Sequence, residues 1–325
     1  MTAPGAQGNG GDEAPVDATG HSNAPAILVE GLHKSYGDVR AVDGIDLRVE
    51  VGECFGILGP NGAGKTTALE MIEGLRQPDG GSITVLGESP WPRNPRLLPR
   101  IGVQLQSAAF IDKLTAMEQL LVFTGIYDMP ATRAADLLEL VGLAGAGDTR
   151  ADRLSGGQQQ RLSTACALVG DPELVFLDEP SAGLDPSARR QLWDVVERIK
   201  GDGRTVVLTT HYMEEAEVLC DRVAIMDRGR VLAVDTPPGL VRGLNAPTRV
   251  MLPPSALGQS EARRIAGVTD VEVEVGALIL ITHEPAAVLS ALARANLLDG
   301  LQIRSATLED AFLDLTGRPL AEVEP

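Results

Sequence analysis

The sequence CFGILGPNGAGKTT, from Cys54 to Thr67, joins a short apolar run to a glycine-rich segment. The second part matches the phosphate-binding P-loop, in which two glycines bracket four residues ahead of a Lys and a Ser or Thr. Glycines let the backbone amides of such a loop turn toward phosphate oxygens, and the helix that follows adds the positive end of its dipole. The residues that we expect to contact nucleotide are Gly59, Pro60, Asn61, Gly62, Ala63, Gly64, Lys65, Thr66 and Thr67.

Two residues of this loop have distinct expected roles. Lys65 should neutralise the β- and γ-phosphates of ATP, and the Thr66 hydroxyl should ligate Mg²⁺. The alternative is a glycine-rich turn between a strand and a helix that binds no ligand. The preceding strand, the spacing, the Lys and the Thr all agree with the P-loop, so the sequence favours nucleotide binding.

A second apolar run, Leu174 to Leu177, ends in Asp178 and Glu179. An unbroken apolar run is typical of a parallel strand buried on both faces, and ligands of open α/β sheets lie beyond the carboxyl ends of the strands. We therefore expect Asp178 to interact with Mg²⁺, directly or in its second shell, and Glu179 to orient and deprotonate the attacking water. A solvated strand end is the alternative, and the upstream P-loop weighs against it.

The third run, Thr205 to Thr210, places His211 at the same edge of the sheet. A lone His is more often structural or merely exposed, but this one follows a strand that ends near the predicted nucleotide. We expect its imidazole to contact the γ-phosphate and to hold Glu179 and the water in register.

Composition limits the function classes that fit the chain. The 325 residues are long enough for two domains, and a net charge of −17 disfavours nonspecific binding to nucleic acid or anionic lipid. The three cysteines lack metal-ligand spacing, and we find no secretory signal pattern and no apolar segment long enough to cross a bilayer. We therefore expect an intracellular protein that reaches a membrane only through a partner.

The chain divides into three parts by its residue patterns. Residues 1–25, rich in Gly, Ala and Pro, predict a disordered tail. Residues 26–244 alternate short apolar runs with helical stretches, which predicts an α/β domain. A hairpin pattern at 271–281 and flanking helical stretches predict a small α+β domain in residues 245–325.

The segment LSGGQ, from Leu154 to Gln158, lies upstream of Asp178, and with the P-loop it resembles the ATPase subunits of the ABC family. Ser155 is a good helix N-cap, and the glycines after it expose backbone amides, so the chain carries a second anion-binding helix start. The resemblance implies a P-loop NTPase fold with a mixed sheet and a helical signature subdomain. It also implies a head-to-tail dimer in which the signature of one copy, with Ser155, Gly156, Gly157 and Gln158, covers the ATP of the other.

Further segments extend the resemblance from about residue 27 to residue 241. It implies that Tyr36 stacks on adenine, that Gln106 rather than Gln104 senses Mg²⁺ in the Q-loop, and that Asp185 couples the two sites across the dimer. The stretch from residue 107 to 120 is then expected to contact a transmembrane permease.

The C-terminal sequence, from Leu308 to Arg318, resembles the closing helix of exporter subunits in the daunorubicin-resistance branch. The same residues also form an ordinary amphipathic helix. We therefore expect a motor that uses ATP and Mg²⁺ to power export through a separate permease at the cytoplasmic face of the membrane, without a nucleic-acid partner. An importer motor and a non-transport ATPase that acts on ribosomes or nucleic acid are the alternatives.

Overall fold

The computed structural model describes residues 24–104, 110–244, 247–274, 276–304 and 306–317. The strands are β1 (Ile27–Tyr36), β2 (Val39–Val49), β3 (Cys54–Leu58), β4 (Gly80–Val85), β5 (Ile101–Gln104), β6 (Leu174–Asp178), β7 (Thr205–Thr210), β8 (Arg222–Asp227), β9 (Arg230–Asp235), β10 (Thr248–Leu252), β11 (Val268–Glu274), β12 (Ala277–Thr282) and β13 (Gln302–Arg304). The helices are α1 (Lys65–Ile72), α2 (Ala116–Ile126), α3 (Thr132–Leu140), α4 (Gly156–Ala167), α5 (Pro186–Gly201), α6 (Met213–Leu219), α7 (Pro237–Gly243), α8 (Gln259–Ala262), α9 (Pro285–Arg294) and α10 (Leu308–Thr316).

The central sheet confirms the predicted α/β class and brings the three candidate strands together. Its order in the described residues is β5-β6-β7-β3-β8-β9, in which β9 runs antiparallel to β8 and the other neighbours are parallel. Every residue of β3, β6 and β7 is buried, as expected for parallel strands that are covered on both faces. Because these strands are parallel neighbours, their carboxyl ends meet at one edge.

Two apolar layers cover the central sheet. On one face, α1 and the antiparallel sheet β2-β1-β4 form a core that includes Phe55 and Phe176. On the other face, residues of α2 to α6 form a core around Leu177 and Leu208. The predicted helical part that carries the signature therefore packs on the second face.

The C-terminal part contains the predicted hairpin. Strands β11 and β12 pair antiparallel, and with β10 and β13 they form a separate sheet in the order β11-β12-β10-β13. Val250, Leu280 and Leu292 belong to its own apolar cluster. The predicted helix from residue 255 to 265 is short, because α8 spans only Gln259–Ala262.

The closing helix α10 packs on the larger unit, although the sequence assigned its residues to the small domain. Its buried side chains Leu308, Ala311 and Phe312 belong to the same core as α6 and not to the core of the small sheet. The Leu308 amide also donates to Glu217 Oε1 of α6, at 3.0 Å. The amphipathic pattern thus predicted the helix correctly but could not say which surface covers its apolar face.

None of the helices in the described ranges combines the length and the apolar character that a bilayer crossing requires.

Candidate active site

The loop between β3 and α1 has the backbone that its glycines permit. Gly64 precedes α1 with a φ of 98°, and a Cβ on this residue would lie 2.1 Å from the Ala41 carbonyl oxygen. A Cβ on Gly59 would lie 2.2 Å from the Met226 carbonyl oxygen. A larger residue at either position would have to displace backbone, so these glycines are required by packing as well as by conformation.

Lys65 begins α1 and lies inside the loop. Its side chain is buried, and its Nζ donates to the carbonyl oxygens of Gly59 and Pro60 at 2.8 and 3.2 Å. The same Nζ lies 3.1 Å from Glu179 Oε1 at the end of β6. Burial lowers the pKa of Lys65, and the Glu179 carboxylate opposes this shift. The structure therefore joins two residues that the sequence had placed in separate motifs.

Asp178 is held by two hydroxyl groups. Thr66 Oγ1 donates to Asp178 Oδ1 at 3.3 Å, and Thr209 Oγ1 of β7 donates to the same oxygen. Thr209 also accepts a 2.9 Å hydrogen bond from the Glu179 amide. Burial is the main cause that raises the pKa of Asp178. Sequence reasoning missed Thr209, although a Thr in a buried strand is a signal that its hydroxyl needs a hydrogen-bond partner.

Glu179 lies between two basic side chains. The Nδ1 atom of His211 is 3.4 Å from Glu179 Oε2, and Lys65 contacts the other carboxylate oxygen. The His211 imidazole and then the Lys65 ammonium lower the pKa of Glu179 to about 2, although burial acts in the opposite direction. Its φ of 45° is unusual for a residue with a side chain, and such strain is found often at functional sites. An ionised, buried carboxylate in this position can accept a proton and orient a water molecule.

A cleft of about 430 Å³ opens beside these groups. It is lined by Tyr36, Ala41, Asn61, Gly62, Gly64, Lys65, Thr66, Thr67 and Glu179. Tyr36 is partly exposed, with Arg76 Cζ 5.4 Å and Lys34 Nζ 5.7 Å from its ring centre. The predicted adenine platform, phosphate loop and catalytic carboxylate therefore share one cleft of nucleotide size.

The predicted signature residues lie at a different place in the same chain. Ser155 caps α4 in a capping box, because its hydroxyl accepts from the Gln158 amide at 3.3 Å and its own amide donates to Gln158 Oε1 at 2.9 Å. Ser155 and Gly156 are exposed, whereas Gly157 is buried against Ala188 of α5. The described residues that line the cleft include none of these four residues.

The remaining candidates are Asp185 and the two glutamines of the predicted Q-loop, Gln104 and Gln106. Asp185 caps α5 by accepting from the amides of Ser187 and Ala188, both at 2.9 Å. Gln106 lies outside the described residues. Gln104, the alternative to it, is buried and accepts a 2.6 Å hydrogen bond from Thr164 of α4.

Glu73, at the end of α1, is a buried carboxyl that the sequence did not single out. Burial, with the carboxylates of Asp178 and Glu70, raises the pKa of Glu73 to about 8. The folded protein therefore retains a proton that the unfolded chain releases near the ordinary pKa of 4.5. The resulting stabilisation is complete below 4.5 and is lost as the pH rises to about 8.

We expect Glu73→Gln to remove this pH dependence, because Gln is neutral at every pH. The Tm of the natural protein should fall relative to the Tm of the variant between about pH 5 and pH 8, with a difference in unfolding free energy on the order of a few kcal/mol. Differential scanning fluorimetry across this pH range measures the Tm of both proteins. Glu139→Gln, on the exposed face of α3, is the control, and parallel Tm curves for the natural protein and Glu73→Gln would contradict the prediction.

Comparisons with known proteins agree with this geometry. The model of the ABC transporter family matches residues 42–182. The Nod factor export ATP-binding protein I of Burkholderia orbicola (strain AU 1054) is 40% identical over 305 residues, which cover 91% of this chain and 98% of that protein. The linearmycin resistance ATP-binding protein LnrL of Bacillus subtilis (strain 168) is 38% identical over 311 residues, which cover 91% of this chain and 100% of that protein.

Solved structures of ATP-binding cassettes share the fold. The ADP conformation of a cassette of an ABC transporter superposes with a TM-score of 0.60 at 25% identity, covering 66% of this chain and 92% of that chain. A dimeric cassette in a post-hydrolysis state, bound to ADP and Pi, has a TM-score of 0.59 at 27% identity and covers 65% and 98%. The P-loop, the carboxylates at the end of β6 and the extended similarity lead to one conclusion: the chain belongs to the ABC transporter family, as an ATP-binding and ATP-hydrolysing subunit.

Proposed function

We propose that this chain is the motor of an exporter and works as half of a head-to-tail dimer on a separate transmembrane permease at the cytoplasmic face of the membrane. The observation that carries the proposal is the buried contact of Lys65 with Glu179 inside a cleft of nucleotide size. It places a candidate general base next to the cation that should meet the γ-phosphate. The relatives described as export and resistance proteins, which align over nearly their whole lengths, support the direction of transport.

Each residue of the cleft has a proposed role in hydrolysis. The amides of the P-loop and Lys65 bind the phosphates, and the Tyr36 ring stacks on the base. Glu179 accepts a proton from the attacking water, and His211 holds Glu179 and contacts the γ-phosphate. When ATP binds, Lys65 exchanges its present carbonyl partners for phosphate oxygens. Gln106 would sense Mg²⁺ and carry the signal to the permease contact.

The residues at the ends of α1 and β6 fit Mg²⁺. Mg²⁺ prefers oxygen ligands and binds through one or two carboxylates together with phosphates and water. The Thr66 hydroxyl and the Asp178 carboxylate are within 3.3 Å of each other and supply such oxygens. The described residues contain no group of three or more His, Cys, Asp or Glu that would form an all-protein metal cage, and Mg²⁺ with ATP does not need one. When bound, Mg²⁺ neutralises charge on the β- and γ-phosphates.

A dimer follows from where the signature lies. Ser155 and Gly156 are exposed at the start of α4, where a helix N-terminus favours anions, but they do not line the cleft of their own chain. A second copy turned head to tail would supply this surface to the cleft. Asp185, at the start of α5, would then lie near the dimer interface and couple the two sites.

The permease contact is proposed on the exposed apolar face of α2. Val122 and Ile126 are 38% and 68% exposed and lie one turn apart, just beyond the stretch that the sequence associates with the permease. Apolar residues of this size on a charged protein are typical of an interface.

We expect the double substitution Val122→Asp and Ile126→Asp to reduce recovery of the permease at least about tenfold, because burying unpaired carboxylates in an interface costs several kcal/mol. The measurement is co-purification in mild detergent with an affinity tag on this chain, expressed with its neighbouring membrane protein. Nucleotide binding should remain unchanged. Val51→Asp, which introduces the same kind of charge at a 63% exposed position outside α2, is the control.

Three outcomes would contradict the proposed function. If no integral membrane protein accompanies the natural chain, the role as a transport motor fails. If RNA, DNA or ribosomes stimulate its ATPase activity instead, the chain belongs to the non-transport class. In vesicles with the ATP-binding subunits on the outside, export appears as ATP-driven uptake into the lumen, so ATP-driven release of substrate from these vesicles would contradict the proposed direction.

A further inference from the structure

A buried carboxyl next to the active site has no role in the reaction described above. Glu215, on α6, is fully buried. Its Oε1 accepts a 3.1 Å hydrogen bond from Trp193 Nε1 of α5. Burial raises the pKa of Glu215, and the hydroxyls of Thr210 and Ser181 beside it oppose this shift. Glu215 therefore lies where three separate segments of the chain meet.

On one side, Glu215 lies beside Thr210, the residue that precedes His211, because the Thr210 hydroxyl lowers the pKa of Glu215. Thr210 is the last residue of β7, and its Oγ1 accepts a 2.9 Å hydrogen bond from the Tyr212 amide. The rings of His211 and Tyr212 are in contact, with centres 4.1 Å apart. A change at the Thr210 hydroxyl would therefore move the backbone turn that aims His211 at Glu179.

On the other side, Glu215 faces Ser181, which begins the segment that ends in Asp185. Ser181 is fully buried, and its carbonyl oxygen accepts from the Leu184 amide at 3.2 Å. No described residue makes a hydrogen bond to Ser181 Oγ or to Glu215 Oε2. The Ser181 hydroxyl is near enough to lower the pKa of Glu215, but it does not reach hydrogen-bond geometry with Oε2. A small movement of the segment would complete this hydrogen bond and recover the free energy that two unpartnered buried atoms cost.

A cation completes the cluster. The Arg189 guanidinium of α5 stacks on the Tyr212 ring at 4.1 Å and lowers the pKa of Glu215. Its Nε is buried and has no hydrogen-bond partner among the described residues. The cluster therefore contains unpartnered buried polar atoms on both the carboxylate and the guanidinium, and partly satisfied buried polar networks are costly.

We propose that Glu215 is a positioning residue, which links the segment Ser181 to Asp185 with the turn at Thr210 and thereby makes the placement of His211 depend on the neighbouring subunit. This inference rests on the proposed roles of Glu179 and His211. Closure of the dimer would shift the Ser181 segment, form the Ser181 to Glu215 hydrogen bond and fix the His211 turn. Hydrolysis would then be fast only in the closed dimer.

Substitutions on both sides of the missing hydrogen bond test this link in the full chain with its permease. We expect Ser181→Ala and Glu215→Met, which has a similar volume but makes no hydrogen bond, each to lower kcat about fivefold to tenfold. The KM for ATP should stay close to the natural value because the nucleotide cleft is untouched, and the Tm of Ser181→Ala should also stay close to natural. The double variant should lose no more than either single variant, since both break the same link. Ser181→Thr, which keeps the hydroxyl, should restore kcat.

Glu217→Gln is the matched control, because Glu217 is on the same helix but bonds the Leu308 amide on the far side. It should leave kcat unchanged. The inference is overturned if Ser181→Ala has natural kcat, or if the two single losses multiply in the double variant. If kcat falls only in step with the Tm, Glu215 has a structural role and the inference is also overturned. Failure of the proposed site is recognised separately, by Glu179→Gln that still turns over ATP.

Discussion

Glu179→Gln is expected to lower ATP turnover by a factor on the order of 10² to 10⁴ while leaving ATP binding intact. The His211 imidazole and the Lys65 ammonium hold the pKa of this carboxyl at about 2, so it is ionised at any pH at which the protein is studied. Gln has nearly the same shape and keeps the contacts with Lys65 and His211, but it cannot accept a proton from water. The loss should therefore fall on kcat and not on affinity.

The measurements are phosphate release at saturating ATP and binding of a fluorescent ATP analogue. Size-exclusion chromatography with ATP should also show the variant as a stable dimer, since nucleotide that is not split keeps the two copies together. Glu173→Gln, at the opposite end of the same strand, is the control, because Glu173 pairs with Arg100 at the surface and should not affect turnover. Natural turnover in Glu179→Gln would remove Glu179 from the role of base.

The depressed pKa of Glu179 also has a consequence for stability. The carboxylate stabilises the folded state at any pH above its ordinary pKa of 4.5, and this contribution is lost as the pH falls toward 2. Glu179 and Glu73 therefore act in opposite directions, since the protonated form of Glu73 stabilises the fold.

Mixing two inactive variants is expected to restore ATP hydrolysis. Lys65→Met should disable the P-loop, and Ser155→Arg should block the signature with a bulky cation. Each change alone should reduce turnover at least about a hundredfold. In a head-to-tail dimer of one copy of each, one site keeps an intact P-loop from the Ser155 variant and an intact signature from the Lys65 variant. Random pairing of equal amounts then gives roughly a quarter of the natural sites.

The measurement is phosphate release across a titration of one variant into the other. Turnover should be greatest near equal amounts and absent at both ends, a shape that contamination by natural protein cannot produce. The control is a titration in which Lys65→Met protein is added to more of the same variant. If the mixture is no more active than its components although the two copies associate, the composite site is wrong. If both sites reside within single chains, no ratio will show a gain.

The strands of the site were predictable because each is a contiguous run of residues. An unbroken apolar stretch identified β6, and shorter apolar runs marked β3 and β7. The rule that ligands meet the carboxyl ends of strands then placed Asp178, Glu179 and His211 at one edge. The capped start of α4 was equally local, since Ser155 and Gln158 make their two hydrogen bonds within one turn. Such features depend on residues close in sequence, so they can be predicted from sequence patterns.

Partners distant in sequence were not predictable. Thr209 supports Asp178 because the parallel register of β6 and β7 pairs these two residues, and a polar residue in a buried strand indicates only that some partner exists. The α10 helix shows the same limit, because its apolar face would suit either core. The sequence placed it in the small domain, and packing placed it against α6.

What the sequence by itself determined is the chemistry of the chain: a phosphate loop, a candidate base, a second anion-binding helix start and, through them, the family. These depend on residue type and short spacing. The tertiary structure alone decided how the groups act on one another, because the order β6-β7-β3 brings Lys65 to Glu179, and the packing of α5 and α6 under β7 buries Glu215 beside Ser181. The physical reason is that ion pairs, pKa shifts and unmade hydrogen bonds depend on distances between side chains, which residues far apart in sequence acquire only when the sheet has formed.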